Sequence, residues 1–146
     1  MRNNIVLNEP LSRHTSWKVG GPADIFFTPN DRKDLSDFLK SNDCIITWLG
    51  NGTNILVRDA GVRGAVISTR KSLNKIELID QSNYLVEVGV SCFELAMYAT
   101  KNNFGPAAFF SGIPGSIGGA LTMNAGCFGN ETWEFVKSIE VMDRNG

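Results

Sequence analysis

The stretch Leu49-Gly50-Asn51-Gly52-Thr53-Asn54-Ile55-Leu56-Val57 decides how this chain is read. Two apolar runs, residues 45–49 and 55–57, bracket a short loop that holds two glycines. Glycine reaches backbone conformations that aim successive N–H groups at one point, and such a nest holds an anion. Thr53 and Asn54 add side-chain donors, and a diphosphate suits the arrangement. The alternative is a plain hairpin turn, in which Asn-Gly is common. The loop contains no lysine. Arg58 is the nearest basic residue along the chain and reads as solvated.

A second glycine-dense stretch follows later: Gly112-Ile113-Pro114-Gly115-Ser116-Ile117-Gly118-Gly119-Ala120. Its spacing fits neither the dinucleotide-binding G-x-G-x-x-G pattern nor a P-loop, which ends in Gly-Lys-Ser/Thr. Ser116 is placed to cap a helix that starts near Ile117, which would turn that N-terminus toward an anion. The alternative is a turn followed by close glycine-mediated packing. Two such loops without a lysine point to phosphate held by backbone amides.

Around these loops the elements fall into place by periodicity. Residues 23–28 read as a strand closed by Pro29. Asn30 or Asp31 caps a helix with Leu35, Phe38 and Leu39 on one face. Residues 45–49 read as a buried strand, and residues 66–67, 75–79 and 84–90 as further strands. Ser91 and Glu94 make a capping box for a helix over residues 93–102, which Asn103 or Gly105 ends. Residues 136–142 read as a last strand. The Asn145-Gly146 turn signal after it has no return strand, so the ending looks like a cut, and the edge left open would template self-association. The pattern is α+β.

The chain has 146 residues, 42% of them hydrophobic and 20% charged, with a formal net charge of −1. It is long enough to bury roughly 68–70% of its unfolded surface. No block of like charge suggests a nucleic-acid or membrane partner. Cys44, Cys92 and Cys127 lack CxxC spacing, and their odd count argues against a disulfide framework. With His14 the single histidine, a zinc site is not expected. Met1-Arg2-Asn3-Asn4 lacks a signal-peptide run, and no stretch approaches the roughly 20 apolar residues of a membrane span. Cytoplasm is the simplest compartment.

Few residues suit acid–base work. His14 reads as a surface or capping residue. Cys127, just beyond Asn124-Ala125-Gly126, reads as packing. Asp24 and Glu131 have no obvious partner. A binding domain whose catalytic groups lie elsewhere fits this inventory.

In combination the motifs resemble one family. The opening Leu11-Ser12-Arg13-His14-Thr15-Ser16-Trp17-Lys18-Val19-Gly20-Gly21-Pro22-Ala23-Asp24 is similar to that of the UDP-N-acetylenolpyruvoylglucosamine reductases. Residues 49–57 and 112–120 resemble the two flavin loops of that family, and Asn124-Ala125-Gly126, Gly129 and Glu131-Thr132-Trp133 continue the match. The resemblance implies an FAD-binding fold of the vanillyl-alcohol-oxidase (PCMH) type, with two α/β subdomains gripping FAD. It divides the chain into a segment 1–18 and a domain 19–146, with subdomains at about 19–70 and 71–146. It implies cofactor contacts from Leu49, Gly50, Asn51, Gly52, Thr53 and Asn54. A second set comprises Gly112, Ile113, Pro114, Gly115, Ser116, Ile117, Gly119, Ala120, Asn124, Ala125 and Gly126. The implied reaction uses NADPH to reduce FAD. A hydride then passes to the enolpyruvyl group of a UDP-sugar, giving UDP-N-acetylmuramate for peptidoglycan. The family's arginine, serine and glutamate of catalysis, and its substrate domain, match nothing up to Gly146, so no catalytic residue is assigned. Another oxidase or dehydrogenase of the same superfamily, or a stand-alone nucleotide-binding module, are the alternative readings.

Overall fold

The computed structural model describes residues 4–146, so Met1-Arg2-Asn3 of the quoted N-terminus lie outside the described residues. The chain forms two compact units. The first runs to Leu73 and takes in Glu140–Gly146; the second is Asn74–Ile139. This grouping differs from the expected one at both ends: the N-terminal segment is built into the first unit, and the last seven residues return to it.

The first unit is a four-stranded mixed sheet in the order β1-β2-β4-β3. The strands are β1 (Ile5–Pro10), β2 (Pro22–Phe27), β3 (Ile46–Leu49) and β4 (Val62–Ser68). β1 runs antiparallel to β2, whereas β2 and β3 both run parallel to β4. Central β4 is covered on both faces. Ala65 and Ile67 pack with Phe27 against Leu35, Phe38 and Leu39 of helix α1 (Arg32–Ser41). Val66 points the other way, toward Leu11, Phe26, Leu49 and Val57. The switch between adjacent residues follows from the two-residue period of a strand. Asp31 caps α1 by accepting from the Asp34 N–H at 2.7 Å.

The second unit packs helix α2 (Cys92–Lys101) against a 3-10 segment over Gly105–Gly112 and helix α3 (Ile117–Met123). Val90, Leu95, Ala99, Phe109, Phe110 and Ile117 are buried in its core. A hairpin of β5 (Ile76–Leu78) and β6 (Tyr84–Val86) lies beside it, and a two-residue pair, β7 (Gly126–Cys127) and β8 (Asn130–Glu131), follows α3.

One alternative reading falls away and two expectations are corrected. Because β3 and β4 are parallel neighbours, residues 50–54 are not a hairpin turn; they open a crossover. Strand pairing after Tyr84 stops at Val86 instead of continuing to residue 90. Residues 136–142 form no strand at all. Glu140 pairs with Arg32 at 2.9 Å, and Met142 packs on the α1 side of the first core. No open edge exists there for self-association.

Candidate functional site

The first glycine loop begins where β3 ends at Leu49, a buried residue whose carbonyl accepts from Thr69 N–H at 3.1 Å. Gly52 is buried, Asn51 half-buried, and Thr53 and Asn54 are exposed. Gly52 has φ +68°, and a Cβ there would run into the carbonyl of His14. Its own carbonyl accepts from Ser16 N–H at 2.9 Å. The loop therefore sits on the turn over residues 14–18. Among the described residues, the N–H groups of Asn51, Gly52, Thr53 and Asn54 donate to no other group of the protein. Polar groups of this kind need a partner, from solvent or a ligand. Beside the loop lies a cavity of about 400 Å³ lined by Thr15, Ser16, Lys18, Asn51, Thr53 and Arg70. Its lining contains two cations and no carboxylate. That donor set fits the diphosphate of FAD.

Arg58, the basic residue nearest in sequence, does not line this cavity. Its backbone carbonyl is in use instead, accepting from Gly21 and Gly61 at 3.0 and 2.9 Å. Sequence reasoning missed Lys18 and Arg70 because a tertiary contact, not chain proximity, brings them to the loop. The Ser16–Gly52 hydrogen bond is that contact on the N-terminal side.

The second loop is built differently. Ser116 does cap α3, accepting from Gly119 N–H at 3.3 Å. The Ile117 and Gly118 N–H groups donate to the carbonyls of Val90 and Val88, both at 2.8 Å. Ala120 N–H donates to the Ser116 carbonyl at 2.8 Å, and Gly115 N–H to that of Ile113 at 2.9 Å. The expectation of an amide nest at this helix start is thus corrected: those donors bind the protein itself. They fasten α3 to the segment before α2, as does Cys92 N–H donating to Gly115 O at 2.9 Å. Gly112 is small because a Cβ would strike the Cys127 sulfur. Gly119 is the exception. A Cβ there would meet only Ser116 Oγ, at 3.5 Å, so no internal packing requires glycine.

Asn124, Ala125 and Gly126 are braced internally. Asn124 takes φ 43° at the end of α3, donates to Glu131 at 2.7 Å and accepts from Trp133 N–H at 3.1 Å. The Ala125 carbonyl accepts the Thr132 hydroxyl at 2.6 Å. Glu131 and Asp24, without evident partners in the sequence, both have them: Asp24 accepts from Gly64 N–H at 3.0 Å and pairs with Arg63 at 2.9 Å. His14 stacks on Phe26 with ring centroids 4.2 Å apart and contacts Glu9 at 2.9 Å. Burial pushes the Cys92 thiol up to about 11.

The chain matches the FAD binding domain family over residues 23–146. It is 45% identical over 141 residues to the UDP-N-acetylenolpyruvoylglucosamine reductase of Methylococcus capsulatus, an alignment covering 95% of this chain and 46% of that protein. The crystal structure of UDP-N-acetylenolpyruvylglucosamine reductase from Thermus caldophilus superposes with a TM-score of 0.70 at 32% identity, covering 90% of this chain and 46% of the other. An alkyldihydroxyacetonephosphate synthase structure shares the fold alone, with a TM-score of 0.60 at 16% identity over 87% of this chain and 28% of its own. The chain spans about half the length of the reductases it matches. The family match over residues 23–146, together with these likenesses, settles the family: the chain belongs to the FAD binding domain family.

Proposed function

We propose that this chain is the FAD-binding portion of a cytoplasmic reductase that uses NADPH to convert UDP-N-acetylenolpyruvoylglucosamine to UDP-N-acetylmuramate in peptidoglycan synthesis. Its likeness to two reductases of that name supports the reading of substrate. The observation that carries the cofactor reading is the set of four unengaged N–H groups at residues 51–54, two of which, those of Asn51 and Thr53, belong to residues lining a cavity without a carboxylate. Residues 49–54 hold the diphosphate in this reading. FAD supplies the two-electron acceptor and donor through which a hydride is relayed. In the second unit, residues 112–117 with Gly119 and Ala120 give FAD a shaped surface, and Gly119 lets backbone come close. Asn124, Ala125 and Gly126 support that surface. For localisation, no helix among the described residues is long and apolar enough to cross a membrane.

The reduction needs more than a flavin. Charge developing on the enolpyruvyl group needs a preorganised donor, and the neighbouring carbon needs a positioned acid. His14, Asp24, Glu131 and Cys127 each have structural partners in this chain. The chain reconstituted with FAD is therefore expected to show no NADPH oxidation that depends on the enolpyruvyl substrate. Substrate-dependent oxidation would place a catalytic acid inside these 146 residues. Binding is tested by equilibrium dialysis against FAD, with saturation near one FAD per chain as the expected result. Absence of retained flavin would overturn the reading.

A further inference from the structure

The turn over residues 14–18 is fastened to the first glycine loop at two points. Ser16 N–H donates to the Gly52 carbonyl at 2.9 Å, and the His14 carbonyl fills the space a Gly52 side chain would need. Thr15, only 2% exposed, donates its hydroxyl to the Val19 carbonyl at 2.9 Å, while Lys18 N–H closes the turn on Thr15 O at 3.2 Å. Lys18 thereby adopts φ +57°, a region that residues with a Cβ seldom occupy. Arg70 is placed from the other side. The residue before it, Thr69, donates its N–H to the carbonyl of Leu49, the stem of the loop, at 3.1 Å. Both cations are thus tied, one through the turn and one through its neighbour, to the first glycine loop and its stem.

Arg13, Arg32, Lys33 and Arg63 all make ion pairs within the protein. Among the described residues, Lys18 and Arg70 pair with no carboxylate, and both line the cavity of about 400 Å³ together with Thr15, Ser16, Asn51 and Thr53. We propose that Lys18 and Arg70 are the counter-charges of a diphosphate subsite at the first loop, so that anion binding there is charge-assisted and not the work of amides alone. The identity of the natural occupant as FAD rests on the function proposed above; the chemistry of the subsite, a diphosphate ester or free pyrophosphate, does not.

The test measures binding of FAD, inorganic pyrophosphate and riboflavin to the 146-residue chain by calorimetry, at low and high salt. The variants are Lys18→Gly, Arg70→Gln and, as a control outside the cavity, Arg58→Gln. Glycine at position 18 relieves the left-handed backbone, so Lys18→Gly is expected to be at least as stable as the parent. A loss of binding in that variant then has no origin in misfolding. Lys18→Gly and Arg70→Gln should each weaken FAD and pyrophosphate about fivefold or more at low salt. The loss should shrink at high salt, and riboflavin, which lacks phosphate, should be unaffected. Arg58→Gln should match the parent. FAD binding that neither variant weakens would overturn the subsite while leaving the FAD reading intact. Pyrophosphate binding that both variants weaken, in a chain that does not bind FAD, would uphold the subsite and overturn the FAD reading. Pyrophosphate binding indifferent to both substitutions, or no binding of either ligand, would overturn the subsite.

Discussion

Gly52 and Gly119 are glycines for opposite reasons. At Gly52 the left-handed backbone and the His14 carbonyl exclude a Cβ. Gly52→Ala should cost about 2 kcal/mol or more of stability, read as a lowered melting temperature before any ligand is added. The sequence alone suggests that bulk here acts by blocking the diphosphate; the structure places the first effect inside the fold. At Gly119, in the first turn of α3, a Cβ has room. Gly119→Ala should raise stability by up to about 1 kcal/mol. If FAD approaches this backbone, the same substitution should weaken FAD, and opposite signs in the two assays would identify a glycine kept for its ligand. Unchanged FAD affinity would remove Gly119 from the site. Cys92 is buried with its thiol pushed up to about 11, so native alkylation at pH 8 should spare it and unfolding should expose it. Mass mapping of the modified thiols checks this, and early labelling of Cys92 would contradict the packing of α2.

The start of α2 shows how local chemistry sets an element. Ser91 accepts from Glu94 N–H at 3.1 Å, and the Glu94 carboxylate accepts the Ser91 N–H and hydroxyl at 3.0 and 2.7 Å. Those bonds from Ser91 hold the Glu94 carboxyl below its ordinary value of 4.5. A carboxylate lowered in the folded state stabilises it above that ordinary value and loses the effect as pH falls through the lowered one. Urea melts should therefore show a wild-type advantage over Glu94→Ala at pH 7 that shrinks toward pH 3. An advantage that grows on acidification would refute the capping role. This box, the Asp31 cap of α1 and the Ser116 cap of α3 were legible in the sequence because their partners are three residues away. Strands were less so, since a strand exists only with a neighbour. Residues 136–142 have strand composition but no partner, so Glu140 and Met142 turn to α1. β1 was missed because Val6 and Leu7 are exposed and Asn8 takes φ +53°, which breaks the alternation a reader looks for.

The return of Glu140–Gly146 to the first unit gives those residues a structural task. Met142 packs with the α1 core, Arg144 donates to the carbonyls of Asn42 and Cys44, both at 3.0 Å, and Ser36 donates to the Gly146 carbonyl at 2.9 Å. Met142→Ala should cost about 1–2 kcal/mol, below the range for truncation of a fully buried methionine because Met142 is only partly buried. Chemical melts followed through Trp48, in the same unit, would report it. The two glycine loops were both visible in the sequence, but their difference was not. Which amides are engaged depends on Val88 and Val90 meeting α3, and which cations line the cavity beside the first loop depends on Ser16 meeting Gly52 and Thr69 meeting Leu49. In the proposed function the first loop and its flanking cations hold FAD. The most direct measurement is a fluorescence titration of the purified chain with FAD, following quenching of the exposed Trp17, which lies in the chain between the cavity-lining Ser16 and Lys18. Saturable quenching is expected, competed away by pyrophosphate and weakened by added salt. Quenching that never saturates, or that is indifferent to both pyrophosphate and salt, would contradict that function.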